Sequence, residues 1–212
     1  MKKHLHIIIV LIFMIIGSVN AQNSGQKILN DLADKTNSYK SIKVGFIYKM
    51  VNVSSNINEQ TEGSLLVAGN KYNLKIAGQE IVSDGKTIWT YIADANEVQI
   101  NEVDEEESFS PTKLLSSYSD DYTAELEKEI NENGRAFYLL KLKPKVKNSG
   151  FDYVHLKIDK AKLQVVAFIL YDFEKNVFSY LIKEYLTDVA LDAKAFSFDT
   201  TKYKGVDIID MR

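Results

Sequence analysis

The sequence predicts a mainly β chain of the α+β class, a curved antiparallel half-barrel under a thin helical lid. Three observations carry that prediction. Alternation of apolar and polar residues with a period of two recurs along eleven segments between residues 42 and 186. Clusters of Gly, Asn and Asp separate many of those segments, so successive strands are joined by tight turns and pair antiparallel. Helical periodicity is confined to one N-terminal stretch and one or two further turns. A large sheet with one apolar face has to curl or be covered, because a flat one exposes both its edges and its hydrophobic side. So little helix covers it only in part and leaves room for a ligand, a fully packed core being the other outcome.

From Ser24 the residues Ile28, Leu29, Leu32 and Ala33 recur at helical spacing. Ser24 is placed to cap the first turn, which predicts an amphipathic helix over 24–38. Beyond Tyr39 the period changes: Ile42, Val44, Phe46, Tyr48 and Met50 share one face of a strand, Lys43 and Lys49 the other. Further strands are expected near 61–68, 71–77, 79–83, 86–92, 96–103, 121–130, 136–143, 151–159, 163–172 and 177–186. Asp84-Gly85 and Asn133-Gly134 suit positive φ, while Asp159-Lys160 and Lys175-Asn176 supply polar tips. Ser110-Pro111 followed by Leu114 and Leu115 reads as an N-cap and first helical position, so a short helix interrupts the sheet. Leu191 to Phe196 reads as one helical turn before the tail. No repeat or linker divides the chain, and a single domain is expected over 22–212.

The composition, 45% apolar and 26% charged with 2 Pro in 212 residues, is that of a globular chain and not of a disordered or collagen-like one. Cysteine is absent, which removes disulfides, thiolate metal sites and cysteine nucleophiles. The N-terminus reads as an address. Met1-Lys2-Lys3 is basic, Ile7 to Ile16 is an unbroken apolar run, and Gly17-Ser18-Val19-Asn20-Ala21 is small, which predicts a signal peptide over 1–21 cut after Ala21. The apolar run falls short of the roughly 20 residues that span a bilayer. No cysteine follows, so the chain is not itself a lipoprotein. Taking Lys2 and Lys3 from the 26 basic residues leaves 24 against 29 acidic, a formal charge of −5, which argues against nucleic acid as a partner. A disulfide-free secreted chain fits the periplasm.

Candidate chemistry is sparse. Asp104-Glu105-Glu106-Glu107 lacks the alternating ligands and glycine of a calcium loop and reads as a solvated turn. With His4 and His6 in the leader, histidine catalysis would rest on His155, and Asp152 lies on the opposite face of the same strand. No Gly-x-Ser-x-Gly elbow is present. Glu125, Glu127 and Glu129 alternate with apolar residues as the wet face of a sheet does, not as a glycosidase pair. No cofactor is predicted. The aromatic and aliphatic set Phe46, Tyr48, Met50, Tyr72, Leu74, Ile76, Trp89, Tyr91 and Phe137 recurs at strand parity, so that several of its members line one surface.

The stretch Glu62-Gly63-Ser64-Leu65-Leu66-Val67, then Lys71-Tyr72-Asn73-Leu74, then Gln79 to Tyr91 with its Ser-Asp-Gly-Lys-Thr-x-Trp-x-Tyr hairpin, resembles the LolA family of periplasmic lipoprotein carriers. The likeness continues through Ser110-Pro111 with Leu114-Leu115, Tyr138 to Lys145, Phe196-Ser197-Phe198 and Tyr203-Lys204-Gly205-Val206. It implies an unclosed barrel of about eleven antiparallel strands with a helical lid. It also implies a carrier that accepts acylated lipoproteins from an inner-membrane ABC transporter complex, hands them to an outer-membrane acceptor and performs no covalent chemistry; a monomer is expected, because such a carrier presents its mouth to two partners in turn. Carriage of another lipid or glycolipid, or envelope-stress sensing, on the same fold is the alternative.

By resemblance, Phe46, Tyr72 and Leu74 match ligand-facing positions, and Leu114 and Leu115 match the lid. Tyr48, Met50, Leu66, Ile76, Trp89 and Tyr91 join the expected lipid-binding set by parity or motif membership. In family members an Arg-Pro pair precedes the strand of Tyr72, and the arginine latches the lid; here Ala68 and Gly69 stand there.

Overall fold

The computed structural model describes residues 24–103, 121–145 and 150–212. The expected signal peptide and the helix at Ser110-Pro111, with Leu114 and Leu115, lie outside those residues. Helix α1 covers residues 24–37, with Ser24 as its first described residue. The strands are β1 (Ile42–Asn52), β2 (Ile57–Ala68), β3 (Lys71–Ile76), β4 (Gln79–Ser83), β5 (Thr87–Ile92) and β6 (Glu97–Glu102). They continue with β7 (Tyr122–Glu132), β8 (Arg135–Pro144), β9 (Phe151–Asp159), β10 (Gln164–Asp172), β11 (Val177–Thr187) and β12 (Asp207–Asp210).

All twelve strands form one curved sheet in the order β12-β6-β5-β4-β3-β2-β1-β11-β10-β9-β8-β7, with β7 and β12 as its unjoined ends. Two meanders, β1 to β6 and β7 to β11, are sewn together by the β1–β11 pair. Pairing is antiparallel except between β12 and β6. The twelfth strand was not expected: its four residues, Asp-Ile-Ile-Asp, are exposed throughout and carry no alternation that a periodicity could register. The helical turn expected over 191–196 is a pair of hydrogen-bonded turns, Ala195 N to Asp192 O and Ser197 N to Lys194 O, and the short helix of this region is 3-10, at Thr200–Lys202.

The helix lies on the face that we call inner. Its Leu29 and Leu32 are fully buried in a core with Ala124, Leu140, Leu156 and Phe168 of β7 to β10. Gly25 permits this approach, since a Cβ there would stand 2.5 Å from the Leu126 amide nitrogen. Gln26 Oε1 accepts from Ala124 N at 3.1 Å, which satisfies an edge-strand donor. Thus the first turn of the helix also shields the end of the sheet.

The outer face of β3 to β6 is covered by the C-terminal segment. Tyr203 packs on Tyr91 at 4.2 Å and stacks on Phe198 at 4.9 Å. The segment is tied down by Glu80, whose carboxylate accepts from Tyr203 Oη at 3.0 Å and Asn73 Nδ2 at 3.2 Å and pairs with Lys75 at 3.2 Å. Asn73 Nδ2 also donates to Ala195 O at 3.4 Å. Desolvation pulls the Glu80 pKa upward, but the bonds from Asn73, Lys75 and Tyr203 outweigh it and hold the carboxyl below its ordinary 4.5. Desolvation and the Glu80 bond push Tyr203 up to about 12.

These two groups define a pH window for the attachment. A lowered carboxyl stabilises fully above its unfolded pKa and loses the effect as pH falls through the folded one; a raised phenol stabilises fully below its unfolded value of 10.0 and loses the effect on the way to about 12. Hydrogen exchange over 190–206 should therefore be slowest, relative to intrinsic rates, between those limits and should lose protection on both sides. Glu80→Gln should weaken the acid limb and leave the part that Asp199, lowered by its bonds to Thr201, contributes.

Candidate functional site

The registers fix which side chains share the inner face beyond the helix. Phe46 pairs with Ile182 and Gly63, and Gly63 with Ile76. One row over, Val44 pairs with Leu65, Leu65 with Leu74 and Leu74 with Ile81. The next row is Ile42, Val67 and Tyr72. On the other side Tyr48 stands between Tyr180 and Thr61, and Met50 between Phe178 and Glu59. Strand pleating puts all of these on one surface. Along the row of Leu74 the strip is apolar from β11 to β4; β5 adds Ile88 and Ile92 on either side of Thr90, and the face turns polar at β6, where Glu97, Gln99 and Asn101 stand.

Phe46, Leu65 and Tyr72 are the buried floor of this cluster, while Tyr48, Leu74, Ile76 and Ile81 are half-buried around it. Tyr180 joins the strip to the helix-covered core: its ring lies 5.6 Å from Phe46, 5.3 Å from Tyr48 and 6.2 Å from Phe168. Burial pushes the Tyr180 phenol up to about 12, and burial followed by Glu59 raises that of Tyr48, so both stay neutral hydroxyls across the physiological range. The strip therefore offers apolar area and neutral polar handles, without an ionised group at its centre.

Of the expected lipid-binding residues, Phe46, Tyr48, Met50, Tyr72, Leu74 and Ile76 are brought together on this face. Leu66, Trp89 and Tyr91 are not. Leu66 pairs with Asn73, Asn73 with Val82, Val82 with Trp89, and Glu80 with Tyr91, a chain of registers that places all three on the outer face. Tyr91 packs there against the C-terminal segment, on Phe198 and Tyr203. Phe137, opposite Asp159 on β9, is likewise on the outer face. Leu65, Ile81 and Tyr180 are among the members of the strip that the expected set lacked, with Ile42, Val44, Val67, Phe178 and Ile182. The signal for Leu65 was present: a two-residue turn at Gly69-Asn70 that pairs Ala68 with Lys71 forces Leu65 opposite Leu74.

The turn that stands where the family carries Arg-Pro is built around glycine. Gly69 has a φ of +59°, which proline cannot adopt. His155 lies on the outer face between Tyr153 and Tyr171, with Nε2 3.2 Å from Glu127 but without hydrogen-bond geometry. Desolvation lowers its pKa against the pull of Glu127. Among the described residues no cluster of His, Asp and Glu could hold a metal ion.

Gly63 makes room for Phe46, because a Cβ there would collide with the ring carbon Cζ. Gly63→Val should displace the ring and cost about 1–3 kcal/mol by overpacking, read from the denaturant midpoint. Phe46→Ala alone should cost about 3–5 kcal/mol. The double variant should cost less than the sum, since the valine then occupies space that the ring has left.

A family model described as outer membrane lipoprotein carrier protein LolA matches residues 37–199, which include β1 to β11 and the whole inner strip. The outer-membrane lipoprotein carrier protein of Pseudomonas paraeruginosa is 30% identical over 131 residues, 62% of this chain and 61% of that protein, so the match spans less than two thirds of that relative. The outer-membrane lipoprotein carrier protein of Histophilus somni strain 2336 is 26% identical over 217 residues, 100% of this chain and 99% of that one. Among solved structures, an uncharacterized conserved protein from Thermus thermophilus shares the fold with a TM-score of 0.58 at 15% identity, covering 87% of this chain and 98% of its own. With its matched span coinciding with the sheet and its strip, the chain belongs to the LolA family of outer membrane lipoprotein carrier proteins.

Proposed function

We propose that the protein is a periplasmic carrier, exported by a signal peptide cut after Ala21, that holds the acyl chains of lipoproteins against the inner strip. It takes them from an inner-membrane ABC transporter complex and hands them to an outer-membrane acceptor. In this reading it is a binding protein and not an enzyme. The observation that carries the reading is the apolar surface of Phe46, Tyr48, Leu65, Tyr72, Leu74 and Ile76, continuous across adjacent strands and beyond the reach of Leu29 and Leu32 in the helix core. Each methylene removed from water contributes about 0.8 kcal/mol, so a lipoprotein carrying several acyl chains crosses an aqueous space only when they are covered. Leu114 and Leu115 belong to the proposal through the family resemblance, as the lid whose closure competes with cargo and keeps release possible. No helix among the described residues is long and apolar enough to cross a membrane.

Native mass spectrometry with lipid extraction, on protein purified from its own periplasm, tests this directly. Acylated lipoprotein is the expected passenger; phospholipid or glycolipid in its place would replace the cargo class, and failure to load purified lipoprotein would remove the carrier reading. Leu74→Glu should reduce binding of acylated lipoprotein by about tenfold or more, because cargo would have to bury the new carboxylate. A deacylated lipoprotein should bind neither form.

A further inference from the structure

Strands β10 and β11 pair only from Ala167 opposite Leu181 to Tyr171 opposite Val177. Beyond that point they part. Residues 182–187 of β11 pair with β1 alone, and residues 164–166 of β10 turn away toward β9. Register shifts flank the fork on both arms: the one between Val165 and Ala167 leaves Val166 unmatched, and the one at Gly45/Phe46 leaves Lys183 unmatched. Bulges at such places bend strands and re-aim side chains. The last turn of α1 straddles the fork from the inner side, with Lys35 Nζ donating to Lys162 O on one arm and Thr36 bonded to Tyr185 on the other. The fork is thus closed inward and open outward.

The opening is a groove of about 540 Å³ lined by both arms and by the outer faces of β8 and β9. Its floor includes Phe137, Ala167, Ile169 and Leu181. Arg135, Lys157, Lys162 and Lys183 line it against the single carboxylate of Asp159. That carboxylate is buried and already held by Arg135 Nε at 3.1 Å and Lys162 N at 2.9 Å. Lys157 pairs with Glu132. Among the described residues, neither Lys162 nor Lys183 has an ion-pair partner, and the fork side of residues 182–187 takes no backbone hydrogen bond from β10. A six-residue strand edge of about 20 Å, with unused backbone groups beside two unpaired ammonium groups, is a template for a chain that is extended and acidic.

We propose that this fork docks an extended acidic segment of a protein partner, which adds as a strand to the free edge of β11 while its carboxylates meet Lys162 and Lys183. The site lies on the opposite face of the sheet from the inner strip, so a partner seated there leaves the cargo surface unobstructed. The inference does not depend on what that surface carries.

An acetylated, amidated octapeptide of alternating Glu and Val is a suitable probe. It should bind saturably and slow hydrogen exchange at residues 182–187, and Lys162→Glu with Lys183→Glu should weaken it by about tenfold or more. N-methylation at every residue should abolish binding to the unmodified protein, because that removes the donors of a ladder whichever edge of the peptide faces β11, while keeping the charge. This last arm decides the matter even if the charge-reversed variant does not fold. The proposal is overturned by absence of saturable binding, by equal binding of a Lys-Val octapeptide or of the N-methylated peptide, or by protection that appears on β7 or β12 instead. It is equally overturned if the free protein protects this edge in a concentration-dependent way, since the occupant is then a second copy.

Discussion

An open sheet of twelve strands cannot hide its apolar side chains by closing on itself, so each face has to be covered by something else and each end guarded. The constraint is met unevenly. Helix α1 packs on the inner face at β7 to β10, through Leu29 and Leu32. The C-terminal segment is spent on the opposite face at β3 to β6, through Phe198 and Tyr203. The two covers lie on different faces and at different ends. What the described residues leave between them is the inner face of β1 to β4, and that is where the half-buried Tyr48, Leu74, Ile76 and Ile81 collect. The candidate site is a consequence of how a small amount of covering material is distributed, as much as of any one residue.

Register decides who belongs to it. Each tight turn fixes a sum of paired residue numbers, and each sum carries the in/out assignment to the next strand without slippage. From Phe46 in β1 the assignment runs through Gly63, Ile76 and Gln79, and it leaves Trp89 and Tyr91 facing out. Periodicity within one strand cannot supply this information, because Thr87 to Ile92 is half-buried at every position and both of its faces look apolar. Phe46, Tyr48, Tyr72, Leu74 and Ile76 could be grouped on one face from the sequence because their strands alternate strongly. It misplaced Leu66 because the Leu65-Leu66 pair is ambiguous until the two-residue turn at Gly69-Asn70 is counted.

The strands and their antiparallel order were legible for the same reason that parallel β12 was not. Local alternation and turn residues report hairpins, whereas a strand of four exposed residues is defined only by the edge of β6 that it finds, across more than a hundred residues of chain. The fork between β10 and β11 is equally silent in sequence. It arises where β11 follows β1 and β10 follows β9 in different directions, and the residues that mark it, Val166 and Lys183, are ordinary members of their strands by composition. Gly69 is an intermediate case. The absence of Arg-Pro was visible, but that the turn requires positive φ, and so excludes proline at that position, is a statement about backbone.

Dimensions tie the strip to the proposed cargo. Strands lie about 4.8 Å apart, so the apolar surface from β11 across to β4 is roughly 19 Å wide. A bilayer core of about 30 Å holds two layers of acyl chain, which gives each chain a reach of roughly 15 Å. One chain laid across the strands along the row of Leu74 therefore stays on apolar side chains for its whole length, and a chain reaching β6 would meet Glu97, Gln99 and Asn101. At the β11 end the surface is aromatic, with Tyr180 and Tyr48 presenting neutral hydroxyls beside their rings. Such rings offer contact area to a methylene chain while keeping a polar atom available to water or to an ester group, which lowers the penalty of standing empty. A surface of aliphatic residues alone would hold its ligand at least as well, but with the ligand gone it would have no way to be wet.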